Sequence, residues 1–355
     1  MPDIQPTLYN NDSFTFVTRS EYFNELIAKL EQAKNGDRIT IATHVLDVNE
    51  PIIAKLVEVL SAAAQRGVEI KLALDERTLP IMQRIPLNRT KQALIHKTSD
   101  SLQRLQTAGV SYAIINKTFK RLINQYAGRL HIKVATINDE VYIGGCNLAS
   151  DSQIDMMVHW NDPKLAKWLY ELISTMIQKQ SSRLSLGTKD QEILLDKNTK
   201  LLLDVGKPKQ SIIYEQALLL IDNAQDWIVM TCQFFPNSTT ARHLALAYNR
   251  GVDVSLYFNH PSKHRPGHNI LHHVVLLHER TRRPSALFKQ QLSKDLPFVH
   301  AKLLATEHGA MIGSHNYVAA GVNFGTVELT LVRYDNQFAR NSVQHFLKQL
   351  ASAKI

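Results

Sequence analysis

The sequence predicts an α/β protein built from two duplicated α/β/α lobes with mixed, largely parallel sheets. Three observations carry that prediction. Strand patterns alternate with helix patterns along the chain, which favours crossover connections. The same order of elements occurs twice. Two nearly identical phrases, Arg66-Gly67-Val68-Glu69-Ile70 and Arg250-Gly251-Val252-Asp253-Val254, stand at matching places in the two halves.

In the first half Ser20 is expected to cap a helix whose apolar positions Phe23, Leu26, Ile27 and Leu30 fall at helical spacing, with Gly36 ending it. Arg38 to Thr43 reads as a strand. A second helix is expected from near Asn49 to Arg66, closed by Gly67, and Val68 to Leu74 as a strand. In the second half Ser211 opens a helix through Leu218 and Leu220, and Trp227 to Thr231 reads as a strand. A helix then ends at Asn249-Arg250-Gly251, and Val252 to Tyr257 is a strand. At 355 residues, 44% of them hydrophobic, the chain can bury a core large enough for two fused lobes. The expected division is residues 1–185, a linker at 186–200 within the polar stretch from Gln180 to Lys200, and residues 201–355.

The net charge of +9 favours anionic partners, whether nucleic acid, acidic lipid surfaces or phosphorylated substrates, without choosing among them. Two distant cysteines, Cys146 and Cys232, make no disulfide framework and fit a reducing compartment. The N-terminus lacks the pattern of a signal peptide, and no stretch reaches the ~18 apolar residues of a spanning helix. A cytoplasmic protein is expected, with any membrane contact peripheral, at the inner face.

The chemistry-bearing residues repeat as well. His131 and Lys133 stand two apart, and so do His300 and Lys302; Asn147 lies sixteen residues after His131, and Asn316 sixteen after His300. Each segment reads as strand, tight turn, strand. Residues two apart on a strand share a face, so each His and Lys should project together, with the Asn turn beside them. Asp155 precedes the helix-capping Asp162 by seven residues, and Glu328 precedes Asp335 by seven. The two acids are therefore equivalent, each expected to hydrogen-bond its own lobe's histidine. A lone His-x-Lys carries little information; two copies with an Asn at the same offset and an acid downstream are hard to obtain by chance.

This pattern resembles the phospholipase D superfamily, whose signature is His-x-Lys-x4-Asp followed by Gly-Ser-x-Asn, and the resemblance covers nearly the whole chain in the family's two-lobed, pseudo-dimeric form. It departs at Asn138 and Glu307, which occupy the signature's acid position, and at Gly145, which stands where the signature has Ser. A neutral imidazole can attack the anionic phosphodiester without charge repulsion. Lys133, Lys302, Asn147, Asn316 and the Ser314 hydroxyl are candidate donors to the phosphoryl oxygens. The second imidazole can protonate the leaving alcohol and later deprotonate the incoming water or alcohol. Asp155 and Glu328 would orient the rings. The resemblance implies that His131 is the nucleophile, forming a phosphohistidine, and that His300 is the general acid and base. It implies no cofactor or metal, because two lysines supply positive charge. It favours phospholipid over nucleic acid, in reactions like those of cardiolipin synthases or phospholipases D; a nuclease and a non-catalytic anion-binding module are the alternatives.

Three features stand outside this set. The segment from Lys263 to Arg283 is rich in His and Arg: a headgroup-binding rim, a zinc site through His268, His272 and His273, and a solvated loop are all open readings. Lys117, Lys120, Arg121 and Arg129 form a second basic cluster, suited to a membrane surface, a nucleic-acid backbone or plain solvent. Tyr317 and Trp160 read as packing residues, and His44 and Gln233, at equivalent strand ends, as cleft-lining candidates.

Overall fold

The computed structural model describes residues 14–78, 89–116, 128–149, 153–236, 239–263 and 266–353. The first lobe holds β1 (Thr15–Thr18), α1 (Arg19–Gln32), β2 (Arg38–Thr43), α2 (Pro51–Gln65), β3 (Glu69–Asp75), α3 (Arg89–Thr107), β4 (Ser111–Ile115), β5 (Val134–Ile137), β6 (Glu140–Gly144), β7 (Gln153–Ile154), β8 (Met156–Asn161), α4 (Pro163–Lys179) and α5 (Ser182–Leu186). The second holds β9 (Gln191–Leu194), β10 (Thr199–Val205), α6 (Ile212–Asn223), β11 (Trp227–Cys232), α7 (Thr239–Asn249), β12 (Asp253–Phe258), α8 (Pro266–Arg280), β13 (Phe298–Val299), β14 (Leu303–Thr306), β15 (Gly309–Gly313), α9 (Ala319–Phe324), β16 (Val327–Arg333) and α10 (Asn336–Ser352).

Each lobe carries a seven-stranded sheet, in the orders β1-β8-β6-β5-β2-β3-β4 and β12-β11-β14-β15-β16-β10-β9. Read from β3 and from β12 the two orders superimpose over six strands, which establishes the duplication. Both sheets are mixed, but the parallel share is smaller than the alternation of strands and helices implies. Parallel pairing joins β2 to β3, β3 to β4 and β11 to β12, where a helix makes the crossover. The remaining pairs within the two sheets are antiparallel. Two-residue turns close β5 on β6 and β14 on β15, and short turns permit only antiparallel neighbours.

Local chemistry explains most boundaries. α1 is capped by Thr18, not Ser20: its hydroxyl takes the Glu21 amide while the Glu21 carboxylate returns to the Thr18 amide, a capping box. Asp162 caps α4 through the amides of Lys164 and Leu165, ahead of Pro163, and Asp335 caps α10, both as expected. The expected linker is structured: β9 inside it pairs antiparallel with β10 and forms the edge of the second sheet. Alternating polar residues on an edge strand read as linker because one of its faces meets solvent.

The layers run from α1 and α2, through the first sheet, a shared core and the second sheet, to α6 and α7. The shared core takes Ile143, Val158 and Trp160 from one lobe and Ile312, Leu329 and Leu331 from the other, with Leu169 of α4 and Phe346 of α10. Trp160 and Tyr317 are both fully buried packing residues, as expected. Phe14 stands 5.2 Å from Trp160 and 5.5 Å from Phe338, tying the first strand to the last helix. A seam this apolar makes the two lobes one body.

Asp162→Ala removes a cap that accepts two amides and should lower stability by about 1 kcal/mol, read as a lower midpoint in chemical denaturation with one transition still shared by both lobes.

Candidate active site

His131 and Lys133 do not lie on a strand as expected. β5 begins only at Val134, and the residues before it form an extended segment held by the other lobe. The His131 amide donates to the Val327 carbonyl at 2.9 Å, and the Val327 amide to the Arg129 carbonyl at 2.8 Å. The second lobe repeats this. The amides of His300 and Ala301 donate to the Ile154 carbonyl at 2.9 and 3.0 Å, and β13 pairs with β7 in parallel. Val327 and Ile154 immediately precede Glu328 and Asp155, so each bridge delivers an acid to the opposite lobe's histidine.

The carboxylate pairing is therefore crossed. His131 Nδ1 lies 2.8 and 3.0 Å from the two oxygens of Glu328, and His300 Nδ1 lies 2.6 Å from Asp155. This corrects the expectation that each acid serves its own lobe. Sequence spacing shows that the acids are equivalent, but strands at the seam face the partner lobe. In the neutral rings Nδ1 carries the proton donated to the carboxylate, which leaves the Nε2 lone pair toward the cleft.

Both rings line one cleft of about 1030 Å³, together with Asn147, Asn316, His44 and Gln233. The histidine side chains are 15% and 7% exposed, enough to meet a ligand from one side only. The side-chain oxygens of Asn147 and Asn316 are buried without a protein partner, and both residues line the cleft. The lysines are placed differently from the expectation of direct donors to substrate. Lys133 and Lys302 are buried beneath the histidines, and each ammonium donates to the carbonyl of its own histidine, at 2.6 Å for Lys133. They lie under the cleft floor, where burial pulls both ammonium groups below their ordinary range, Lys133 well below it. Ser314 is also redirected: its hydroxyl donates to Glu328. The counterpart Gly145 is explained by space, since a Cβ there would lie 2.1 Å from an Asp155 carboxylate oxygen. The shorter acid sits against the glycine, whereas the longer Glu328 leaves room for a serine.

The two departures at the signature's acid position lie away from the cleft. Asn138 stands at positive φ in the β5–β6 turn, where it accepts from the Arg38 amide at 3.0 Å and donates to Asp37. Glu307 does the same work in the β14–β15 turn, accepting from the amides of Gln225 at 2.6 Å and Trp227 at 3.3 Å. Each side chain pins a hairpin to the start of the neighbouring strand, and an amide serves as well as a carboxylate.

Burial sets the electrostatics. Desolvation, reinforced by Lys133, Lys302 and His300, holds the His131 imidazole well below the usual histidine range. Burial and Lys302 push His300 down to about 4, against the pull of Asp155. Burial lowers Lys302 to about 8. Glu328 is raised by burial, with Lys133 and the Ser314 hydroxyl opposing. Burial also raises Asp155, but His300 and Lys302 outweigh it and leave this acid below its ordinary value.

Asp75, Asn259 and His315 were not singled out from the sequence. Asp75, at the end of β3, accepts the Leu130 amide at 2.8 Å, and His44 Nδ1 meets the Leu130 carbonyl at 2.9 Å. In the second lobe Asn259 alone does both jobs, accepting from the Val299 amide at 2.8 Å and donating to the Val299 carbonyl at 2.7 Å. The signal was present: Asp75 and Asn259 each follow the glycine of the repeated phrase by eight residues. His315 is a third imidazole in the cleft lining. Its Nδ1 accepts the Tyr317 amide at 2.9 Å, so Nε2 carries the proton, buried and without a protein partner. Of the basic cluster, Lys117, Lys120 and Arg121 lie outside the described residues, while Arg129 lines the cleft near Asp75 and Glu76. Among the described residues no cluster of His, Cys, Asp and Glu forms a metal site.

With this geometry in view, the comparisons decide the family. A model for the phospholipase D-like domain of cardiolipin synthase matches residues 26–177 and 218–350. The chain belongs to the phospholipase D-like family. Its fold is that of the phosphatidylserine synthase of Haemophilus influenzae Rd KW20, with a TM-score of 0.73 at 14% identity over 96% of this chain and 87% of that one. The polyphosphate kinase of Porphyromonas gingivalis is similar over 96% of this chain and 50% of its own, with a TM-score of 0.57 at 11% identity. No curated protein sequence matches the chain. Membership places this protein in a family of phospholipid-related phosphodiesterases and phosphatidyltransferases. Among the described residues no helix is long and apolar enough to cross a membrane.

Two outcomes test the site's architecture. Glu307→Ala should cost about 1–2 kcal/mol of stability by leaving amides unpaired, with its own phosphodiester turnover changed less than twofold from wild type; a loss of turnover would give that acid a part in the chemistry. Because His300 is held near 4 against an ordinary 6.5, the unfolded chain takes up the proton first as pH falls. The stability gained by burying the ring neutral is complete above about pH 6.5 and lost between there and about pH 4. Melting midpoints across that window should fall less steeply in His300→Asn than in the wild type.

Proposed function

We propose that the chain breaks and remakes phosphodiester bonds of phospholipids through a covalent phosphohistidine. The observation that carries this reading is the pair of imidazoles in one cleft, each held at Nδ1 by a carboxylate from the opposite lobe. His131 Nε2 attacks phosphorus as a neutral nucleophile, forming an N–P bond while the bond to the leaving alcohol breaks. His300, protonated on Nε2, gives its proton to that alcohol. It then takes one from the incoming water or alcohol, whose oxygen displaces His131 and restores the free ring. The lysine charges beneath the rings, the two asparagine amides and the His315 Nε2–H stabilise the phosphoryl oxygens as charge builds on them.

The division of roles follows the two acids. Asp155 is held below its ordinary value and so carries a full charge to support a protonated His300. Glu328 is raised, and its charge is already drawn on by the Ser314 and Thr326 hydroxyls, which leaves His131 neutral and nucleophilic. The free site holds His300 neutral; the negative charge of a bound diester is what makes its protonation favourable near pH 7.

The apolar wall of the cleft, with Phe234, Leu271, Val275, Leu296, Phe298 and Phe324, supports a lipid substrate over a nucleic acid, as do the cardiolipin synthase family and the phosphatidylserine synthase neighbour. Phosphatidylglycerol vesicles and labelled DNA, offered separately in the presence of EDTA, test the class. Lipid products and an acid-labile phosphoenzyme, both lost in His131→Asn, are expected. His300→Asn should retain phosphoenzyme formation from a diester with a p-nitrophenol leaving group while losing turnover of alkyl diesters by about 10²–10⁴-fold. DNA cleavage without lipid turnover would replace lipid by nucleic acid.

A further inference from the structure

We infer that α8 is a docking helix that seats the mouth of the cleft on an anionic phospholipid bilayer, an inference that rests on the phospholipid reading of the site. The helix has two faces. His272, Val275 and Leu271 line the cleft, with the His272 ring 4.0 Å from Phe234, and Leu276 and Glu279 are buried beneath. Among the described residues nothing covers the opposite, apolar face: Ile270 is 69% exposed, Val274 60% and Leu277 68%, aligned at spacings of four and three along one stripe. Large apolar side chains exposed side by side on a folded protein mark an interaction surface.

Charge complementarity selects the occupant. Residues 263–294 carry seven Lys and Arg against a single acid, Glu279, so this segment supplies +6 of the chain's +9. Glu279 is buried and paired with Arg283, so it contributes little negative field outside. Arg282, Lys289 and Lys294 are exposed close to the stripe in sequence. An apolar stripe followed by a segment rich in exposed cations suits the plane of an anionic bilayer, with the apolar side chains at the acyl boundary and the cations at the phosphates. Because α8 also supplies part of the cleft lining, such a pose places the cleft mouth at headgroup level, where a diester reaches the histidines without leaving the membrane entirely.

The test is sedimentation of the full chain with vesicles of phosphatidylcholine alone or with added phosphatidylglycerol, in wild type, in Ile270→Gln/Val274→Gln/Leu277→Gln, and in Arg282→Gln/Lys289→Gln/Lys294→Gln. None of the six residues contributes to the cleft lining. The wild type should bind phosphatidylglycerol vesicles, weakly or not at all phosphatidylcholine, and less at high salt. Both triple variants should bind about tenfold or more weaker, while turnover of the soluble diester bis(p-nitrophenyl) phosphate stays within twofold of wild type. His131→Asn should bind vesicles as the wild type does. If α8-dependent vesicle binding is found without phospholipid turnover, the docking surface stands and the lipid reaction fails. Wild-type binding of phosphatidylglycerol vesicles that neither variant weakens would overturn the docking helix. So would a wild-type oligomer that the apolar variant converts to monomer with vesicle binding unchanged, because the stripe would then be covered by a second copy.

Discussion

The site depends on two backbone bridges across the seam between the lobes. Where Arg129 and His131 exchange hydrogen bonds with Val327, and where His300 and Ala301 donate to Ile154, neighbouring residues of opposite lobes are fixed in register. Glu328 and Asp155 follow at the next position in each case. The crossed carboxylate–imidazole pairs are thus a consequence of main-chain geometry, and neither lobe alone holds an oriented histidine. Fusion of the two halves into one body by the shared apolar core is what makes a two-histidine site possible.

The same burial that unites the lobes also sets the protonation states. Taking two imidazoles, two ammonium groups and two carboxylates out of water disfavours every charge, and the lysines tip the histidines further toward neutrality. A neutral, carboxylate-oriented imidazole is a nucleophile that meets an anionic diester without repulsion. In the proposed reaction, the diester's arrival supplies the charge that protonates the second ring.

Much of this was legible in the sequence. The repeated His and Lys pairs, the Asn at constant offset and the equivalent acids are local patterns, and local patterns survive folding. What was not legible is relational. Sequence spacing cannot say which lobe's histidine an acid reaches, because that depends on how two sheets pack. The lysines read as substrate donors because strand periodicity puts them on the histidine's face; the segment is instead held by the other lobe, and each ammonium turns back to a carbonyl. Asn138 and Glu307 looked like losses at a functional position and are turn anchors. Parallel pairing was overestimated because crossovers are conspicuous in sequence, whereas the two-residue turns that enforce antiparallel hairpins are brief.

Imidazole ¹⁵N resonances of His131 and His300, assigned in the wild type and followed in Glu328→Gln and Asp155→Asn, test the crossed pairing most directly. Glu328→Gln should shift the nitrogens of His131 and leave those of His300 nearly unmoved, and Asp155→Asn should do the reverse. A shift of each acid's own-lobe histidine, with the opposite ring unaffected, would contradict the seam on which the site is built.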